Sequence, residues 1–174
     1  YSVIMRTPGE ETAHAAGFCL GEGIIDTLDD VTSIAFCDGE DTNVIAVTLT
    51  PARRKKVSRT LDRRGFISQT SCGLCGKELI KDIFQIITPL GDGQPIRIKK
   101  ALACLEALPD IQPLRTQTLA SHAAAIYGAD QELLAVAEDV GRHNALDKLI
   151  GSLLRSGFEP RSGYALVSSR ASYE

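Results

Sequence analysis

Cys72 and Cys75 stand three positions apart, each followed by glycine, inside the stretch from Phe66 to Lys77. An apolar, strand-like run leads in, and a helix-like run from Lys77 to Ile83 leads out. Thiols at this spacing can bind metal, exchange disulfides or carry sulfur. A structural zinc ion needs four ligands in a tetrahedral array. The chain has no second C-x-x-C, and Cys19, Cys37, Cys104, His14, His122 and His143 are scattered, which weighs against zinc. Disulfide exchange needs a thiolate of lowered pKa, commonly at a helix N-terminus. Cys72 fits that position, but the chain lacks the βαβ opening and the strand-leading proline of thioredoxins. In sulfur carriage a thiolate holds a sulfane sulfur as a persulfide, and the second thiol attacks or relays it. Gly73 and Gly76 would let such a segment travel between donor and acceptor. Spacing leaves a thiol-disulfide oxidoreductase and a sulfur carrier both open, with a zinc-stabilised binding module behind them.

A second constellation runs from Glu138 through Asp139, Val140, Gly141, Arg142, His143 and Asn144 to Asp147 and Lys148. It falls where a strand gives way to a helix, so free N–H groups and the helix dipole face the sheet edge. That is a ready site for an anion or phosphate. Arg142 adds a fork suited to phosphate, and His143 and Asn144 can donate. Ser169 and Arg170 reach the same edge from the end of the next strand, and His122 opens the strand beside it. Blander roles stand next to these. Asp139 can cap the helix, Asp147 and Lys148 can pair on the surface, His122 can be structural, and His14 can be plain surface. The concentration of Arg, His and Asn at one helix start favours a ligand site. Arg53, Arg54, Lys55, Lys56, Arg59, Arg63 and Arg64 precede the thiols. They read as a solvated face, or as positive potential for an anionic ligand.

The elements that must position these residues follow from pattern. Tyr1 to Met5 reads as a strand. Thr7 as cap and Pro8 at the first helical position start a helix with Ala13, Ala16, Leu20 and Ile24 inward, weakened by Gly17, Gly21 and Gly23. Val31–Cys37 and Asn43–Leu49 form a hairpin around Asp38-Gly39. Pro95 to Leu108 predicts a helix with Ile98, Leu102, Leu105 and Leu108 facing inward, and Cys104 as inert packing. Pro109 and Pro113 break the chain. Strands over Ser121–Tyr127 and Glu132–Ala137, a helix carrying Ala145, Leu149, Leu153 and Leu154, and a strand over Tyr164–Val167 give β-β-α-β.

The 174 residues, 44% hydrophobic with a net charge of −3, make an ordinary globular chain without a basic field for nucleic acid. No apolar run approaches the roughly 20 residues of a membrane span, and no signal-peptide pattern is present. Five cysteines with one close pair do not read as a disulfide framework, so a cytoplasmic location is expected. The chain opens on Tyr1 and ends just past a strand-like run, so a longer parent protein is expected.

Ser71 to Gly76 together with Glu138 to Lys148 resembles the FdhD/NarQ family of formate dehydrogenase accessory sulfurtransferases. Met5 to Gly9, Gly17-Phe18 and Glu22 to Ile25 are similar to that family's N-terminal motif. Ser169 to Glu174 is similar to its Ser-Gly-Arg-x-Ser-x-Glu segment. The resemblance covers the whole chain in order, and the run from 138 to 148 is the specific part. It implies an α/β fold with a cytidine deaminase-like three-layer core, a mixed sheet flanked by helices, over residues 95–174 and truncated at its C-terminus. A smaller N-terminal α+β subdomain over 1–94 would carry the C-x-x-C loop at 66–77.

The resemblance implies a sulfurtransferase that takes sulfur from a cysteine desulfurase. It would deliver that sulfur to the molybdenum cofactor, bis-molybdopterin guanine dinucleotide, for formate dehydrogenase. Cys72 would bear the persulfide with Cys75 as helper. His122, Asp139, Arg142, His143, Asn144, Ser169 and Arg170 would receive the cofactor. No structural metal, nucleic acid or membrane partner is implied, and a homodimer is compatible. Ser168-Ser169 departs from the family's Ser-Gly, and Thr118 to His122 departs from its Thr-Gly-Gly-x-His. Zinc-water deamination is not implied, because no Glu stands two residues after His122 or His143.

Overall fold

The computed structural model describes residues 2–37, 43–61, 66–68, 95–158 and 163–171. The first half carries β1 (Ser2–Ile4), α1 (Glu11–Gly21), β2 (Val31–Phe36), β3 (Ile45–Leu49), α2 (Pro51–Lys56), α3 (Ser58–Leu61) and β4 (Phe66–Ser68). The second half carries α4 (Ile98–Ala107), α5 (Pro113–Thr118), β5 (His122–Tyr127), β6 (Leu133–Asp139), α6 (Arg142–Ser156) and β7 (Tyr164–Val167). Three sheets result: β1 parallel to β4, the antiparallel β2–β3 hairpin, and a three-stranded sheet in the order β6-β5-β7.

In the three-stranded sheet β5 runs antiparallel to both neighbours, so β6 and β7 run the same way. The connection between them is α6, the crossover that two strands of equal direction require. Both faces of β5 are covered, so it reads as continuous small apolar residues instead of alternating. Ala123, Ala125 and Tyr127 face Cys104 and Leu108, while Ala124 joins Ala137, Ala145, Leu149 and Leu153 under α6. The expected β-β-α-β order and the inward stripe of α6 are found at the anticipated places.

Helix α1 crosses the outer face of α6 with almost no space between backbones. A Cβ on Gly17 would collide with the carbonyl of Asp147, and one on Gly151 with the carbonyl of Ala13. These glycines, which weaken a helix by propensity, are what permits the crossing. Cys19, Ile24 and Ile25 then pack toward Val31, Val47 and Leu49 of the hairpin.

Three expectations need correction. Helix α1 begins at Glu11, after Glu10 in a left-handed conformation and without a side-chain cap. Thr7 does not cap it, because its polar groups are taken elsewhere. In α4, Ile98, Leu102 and Leu105 are 75%, 50% and 40% exposed, whereas Leu108 is 1% exposed. The helix turns Cys104 to the sheet, and Leu108 just beyond it packs beside Cys104. Its spacing shows an apolar stripe but not which side has a partner. Pro113 starts α5 at its first turn instead of ending structure.

Gly17→Ala and Gly151→Ala should each lower stability by at least about 1–3 kcal/mol in chemical denaturation, the usual overpacking cost. Gly21→Ala should be close to neutral, since its added Cβ meets only Asp147 Oδ1 at 3.8 Å. Equal losses at all three positions would contradict the close crossing.

Candidate functional site

The turn from β6 into α6 is built around a buried ion pair. Asp139 is 0% and Lys148 1% exposed, and Lys148 Nζ lies 2.8 Å from Asp139 Oδ2. Asp139 Oδ1 accepts from Gly141 N at 2.9 Å and from Asn144 Nδ2 at 3.0 Å. Oδ2 also accepts from Thr7 N at 3.0 Å. Lys148 Nζ donates to Thr7 O at 3.1 Å and to Glu138 O at 3.3 Å. All three ammonium donors and four carboxylate acceptor positions are therefore used. Full satisfaction is what makes two buried charges tolerable. The surface pairing expected for Lys148 is corrected: it lies one turn into α6, under the N-terminal segment. The capping role weighed for Asp139 is not found: its Oδ1 takes the N–H of Gly141, the residue before the first turn, and not a helical N–H.

Thr7 is fastened at every polar atom. Beyond its N–H and carbonyl, its Oγ1 accepts from Val140 N at 2.9 Å. Asn144 Nδ2 donates to Met5 O at 2.8 Å. Arg6 Nη1 donates to the carbonyls of Thr7 and Gly9, both at 2.9 Å, and Nη2 pairs with Glu11 at 2.8 Å. The Arg6 hydrogen bond, followed by that from Gly9 N, holds the Glu11 carboxyl down at about 2.

His14 is 5% exposed, not on the surface. It sits between α1 and α6, with Nε2 3.4 Å from Asn144 Oδ1 and 3.9 Å from Asp147 Oδ2. Asn144 spends its amide donors on Met5 and Asp139, so its oxygen must accept, which assigns the proton to His14 Nε2. Burial lowers the His14 pKa and outweighs the Asn144 bond. In the neighbouring turn Glu138 anchors α5. It accepts from Leu114 N at 2.8 Å, Arg115 N at 2.9 Å, Ser121 Oγ at 2.8 Å and Gln112 Nε2 at 3.3 Å. Burial alone would raise its pKa, but these bonds, led by Ser121, lower it.

The sheet register brings most of the sequence-derived site residues to one edge. His122 stands opposite Asp139, and Ala124 opposite Val167. The end of β6, the start of β5 and the end of β7 therefore lie side by side. Arg142 and His143 are half-buried in the first turn of α6, whose cap, Gly141, gives no side-chain bond. Ser169 is half-buried and Arg170 exposed, while Ser168 Oγ accepts from Ala123 N at 2.8 Å and closes the turn. Asp139 and Asn144 share this edge, but their polar groups are turned inward to hold Met5, Thr7 and Lys148.

Cys72 and Cys75 lie outside the described residues. The strand before them does not: Ile4 pairs with Ser68, four residues ahead of Cys72. Cys19 is buried, and burial, aided by Asp147 and Glu22, pushes its thiol up to about 12. It stays protonated near neutral pH and is a poor nucleophile. Cys104 packs in the core as expected and accepts from Tyr164 Oη at 3.2 Å. No group of three or more His, Cys, Asp or Glu side chains able to hold a metal ion occurs among the described residues.

The basic segment divides. Arg53 is 4% exposed and clamps the α1–β2 connection: it donates to Ile24 O at 2.7 Å and Gly23 O at 2.9 Å, and pairs with Asp26. It is a folding residue. Arg54 is exposed at the rim of a cleft of about 550 Å³ between α1, β1 and β3, floored by Phe18, Ile24 and Val47. Arg6 also lines the cleft, but Glu11 and two carbonyls already hold it. The cleft is chiefly apolar and does not include Arg142 or His143. Arg142 and Arg170 lie instead at the sheet edge, on the first turn of α6 and just past β7.

The chain matches the FdhD/NarQ family model over residues 1–174. It is 38% identical over 177 residues to a sulfur carrier protein FdhD of Bordetella bronchiseptica, covering 100% of this chain and 62% of that protein. It is likewise 38% identical to one from Xanthomonas euvesicatoria, covering 61% of it. The chain thus spans about three fifths of the length of these curated relatives. Its fold is similar to a crystal structure of a protein designated as a formate dehydrogenase accessory protein from Desulfotalea psychrophila. That likeness has a TM-score of 0.64 at 22% identity, over 95% of this chain and 57% of that one.

Two measurements test the site. Lys148→Met should cost about 3–5 kcal/mol in urea denaturation, because it leaves Asp139 charged, buried and without its cation. A loss below about 1 kcal/mol, typical of exposed pairs, would contradict the burial. The His14 pKa lies below its ordinary 6.5 in the fold, so the unfolded chain takes the proton first as pH falls. Stability should drop from about pH 6.5 downward until the folded-state pKa is passed. His14→Gln, which keeps a donor to Asn144, should flatten that part of the profile, and an unchanged slope would exclude His14 as its source.

Proposed function

The chain belongs to the FdhD/NarQ family, and on that premise we propose that it is the sulfur-carrying part of a cytoplasmic sulfurtransferase serving molybdenum cofactor maturation. The donor is a cysteine desulfurase. The acceptor, treated as substrate, is bis-molybdopterin guanine dinucleotide bound for formate dehydrogenase. The second-half core is of the cytidine deaminase type. The 2-1-3 order of β5, β6 and β7, with the first strand antiparallel to the others, supports that reading.

The observation that carries the function is the placement of β4. The strand that runs into Cys72 pairs with β1, and the chain beyond β1 is fastened to the turn that opens α6. The thiol segment therefore starts from a strand tied to the edge where Arg142, His143 and Arg170 gather. The guanidinium groups of Arg142 and Arg170 suit the phosphates of a dinucleotide. Asp139 and Asn144 shape the turn that presents them.

The Cys72 thiolate attacks the terminal sulfur of the desulfurase persulfide. A new S–S bond forms on Cys72, and the desulfurase cysteine leaves as thiolate. Delivery as sulfide follows when the Cys75 thiolate attacks the inner Cys72 sulfur. The Cys72–Cys75 disulfide forms, hydrosulfide leaves toward the metal, and a dithiol reductant restores both thiols. A low thiolate pKa at Cys72 would favour the first attack.

Incubation with a cysteine desulfurase and cysteine, followed by mass spectrometry, should find one added sulfur atom on Cys72. The Cys72→Ala chain should take none. Normal loading of Cys72→Ala would overturn the assignment. A stable Cys72–Cys75 disulfide with insulin reduction and no added sulfur would instead favour a thiol-disulfide oxidoreductase.

A further inference from the structure

The contacts of Thr7 join two distant parts of the chain. Thr7 N and O meet Asp139 and Lys148 across 132 and 141 residues of sequence, and its hydroxyl takes the N–H of Val140. Three residues earlier, Ile4 stands opposite Ser68 in the parallel β1–β4 pair. Parallel pairing means that β4 points along the chain the same way as the segment leading to Thr7. In sequence, Cys72 follows the end of β4 by four residues. A short strand pair is weak alone, and β1 has only three residues. Its position depends on what holds its far end, namely Thr7.

We infer that Thr7, with the Asp139–Lys148 pair behind it, is a positioning residue for sulfur transfer: it registers β1, and through β1 the strand entering the thiol segment, against the first turn of α6. This rests on the sulfur-carrier reading. Thr7 touches neither sulfur nor acceptor. It fixes the place from which the thiol segment starts relative to the edge carrying Arg142 and His143. Loading from a desulfurase, which docks from outside, does not need that register. Discharge to an acceptor held at the α6 turn does.

The test compares Thr7→Val, which keeps shape but loses the hydroxyl acceptor, with Thr7→Ser, which restores it. Amide hydrogen exchange in the full chain should quicken in β1 and β4 of Thr7→Val about three- to tenfold, the effect of one lost hydrogen bond. Exchange in β5 should stay unchanged, and Thr7→Ser should return β1 and β4 to the original rates. Persulfide loading of Thr7→Val should match the parent. Its discharge to the molybdenum cofactor should slow by a similar factor. Discharge to cyanide, which is small enough to reach a persulfide without docking at the edge, should not change. Unaltered β1 and β4 exchange would overturn the inference. So would exchange that quickens equally in β5, or discharge to cyanide that slows as much as discharge to the cofactor. The exchange readout involves no sulfur, so a chain that accepts none would defeat the functional reading while leaving the anchorage of β1 by Thr7 tested.

Discussion

Two opposite charges, Asp139 and Lys148, are buried together between the end of β6 and the second turn of α6. Removing them from water is costly, and Coulomb attraction repays the cost only when every remaining donor and acceptor is satisfied. Two of those partners come from the backbone of Thr7. The N-terminal segment is therefore part of the core of the second half. Without it, a carboxylate and an ammonium would face a gap instead of partners. The rest of the site is arranged around this requirement: Asn144 bridges Asp139 to Met5, and His14 supports Asn144 from α1.

That support requires α1 to lie very close to α6, and the two glycines at the crossing supply the room. Any side chain there would lift α1, carry His14 away from Asn144 and expose the ion pair. Helix crossing, ion pair and the Thr7 contacts are thus one connected unit. Together they hold the turn at the start of α6, with Arg142 and His143 on it and the end of β7 nearby. Asp139 and Asn144 are used inward at this turn, and Arg142 and His143 are half-buried on its first helical turn.

The β-β-α-β element order of the second half is legible because short apolar runs bounded by turns and one strong helical stripe mark each element. The polar run from 138 to 148 was legible as a site because Arg, His and Asn crowd one helix start. Burial of charged residues was not legible. Arg53, His14 and Lys148 look like surface residues in sequence, since hydrogen-bond partners that bury them, at Asp26, Asn144 and Thr7, lie 27 to 141 positions away. The inward side of α4 was misjudged for a related reason: a stripe specifies a direction only once its partner is known. Thr7 read as a helix cap because Thr-Pro is a common helix opening. Its hydroxyl was already committed to Val140.

The proposed function requires sulfur to pass from Cys72 to an acceptor at the α6 edge within one chain. Its most direct test is a sulfur chase. The protein is loaded with radioactive sulfur from a desulfurase, freed of donor and mixed with bis-molybdopterin guanine dinucleotide cofactor. Label should leave Cys72 and appear on the cofactor in the parent chain, and should remain on Cys72 when Arg142 is replaced by alanine. Label that stays on the parent chain, or that leaves equally fast without Arg142, would contradict it.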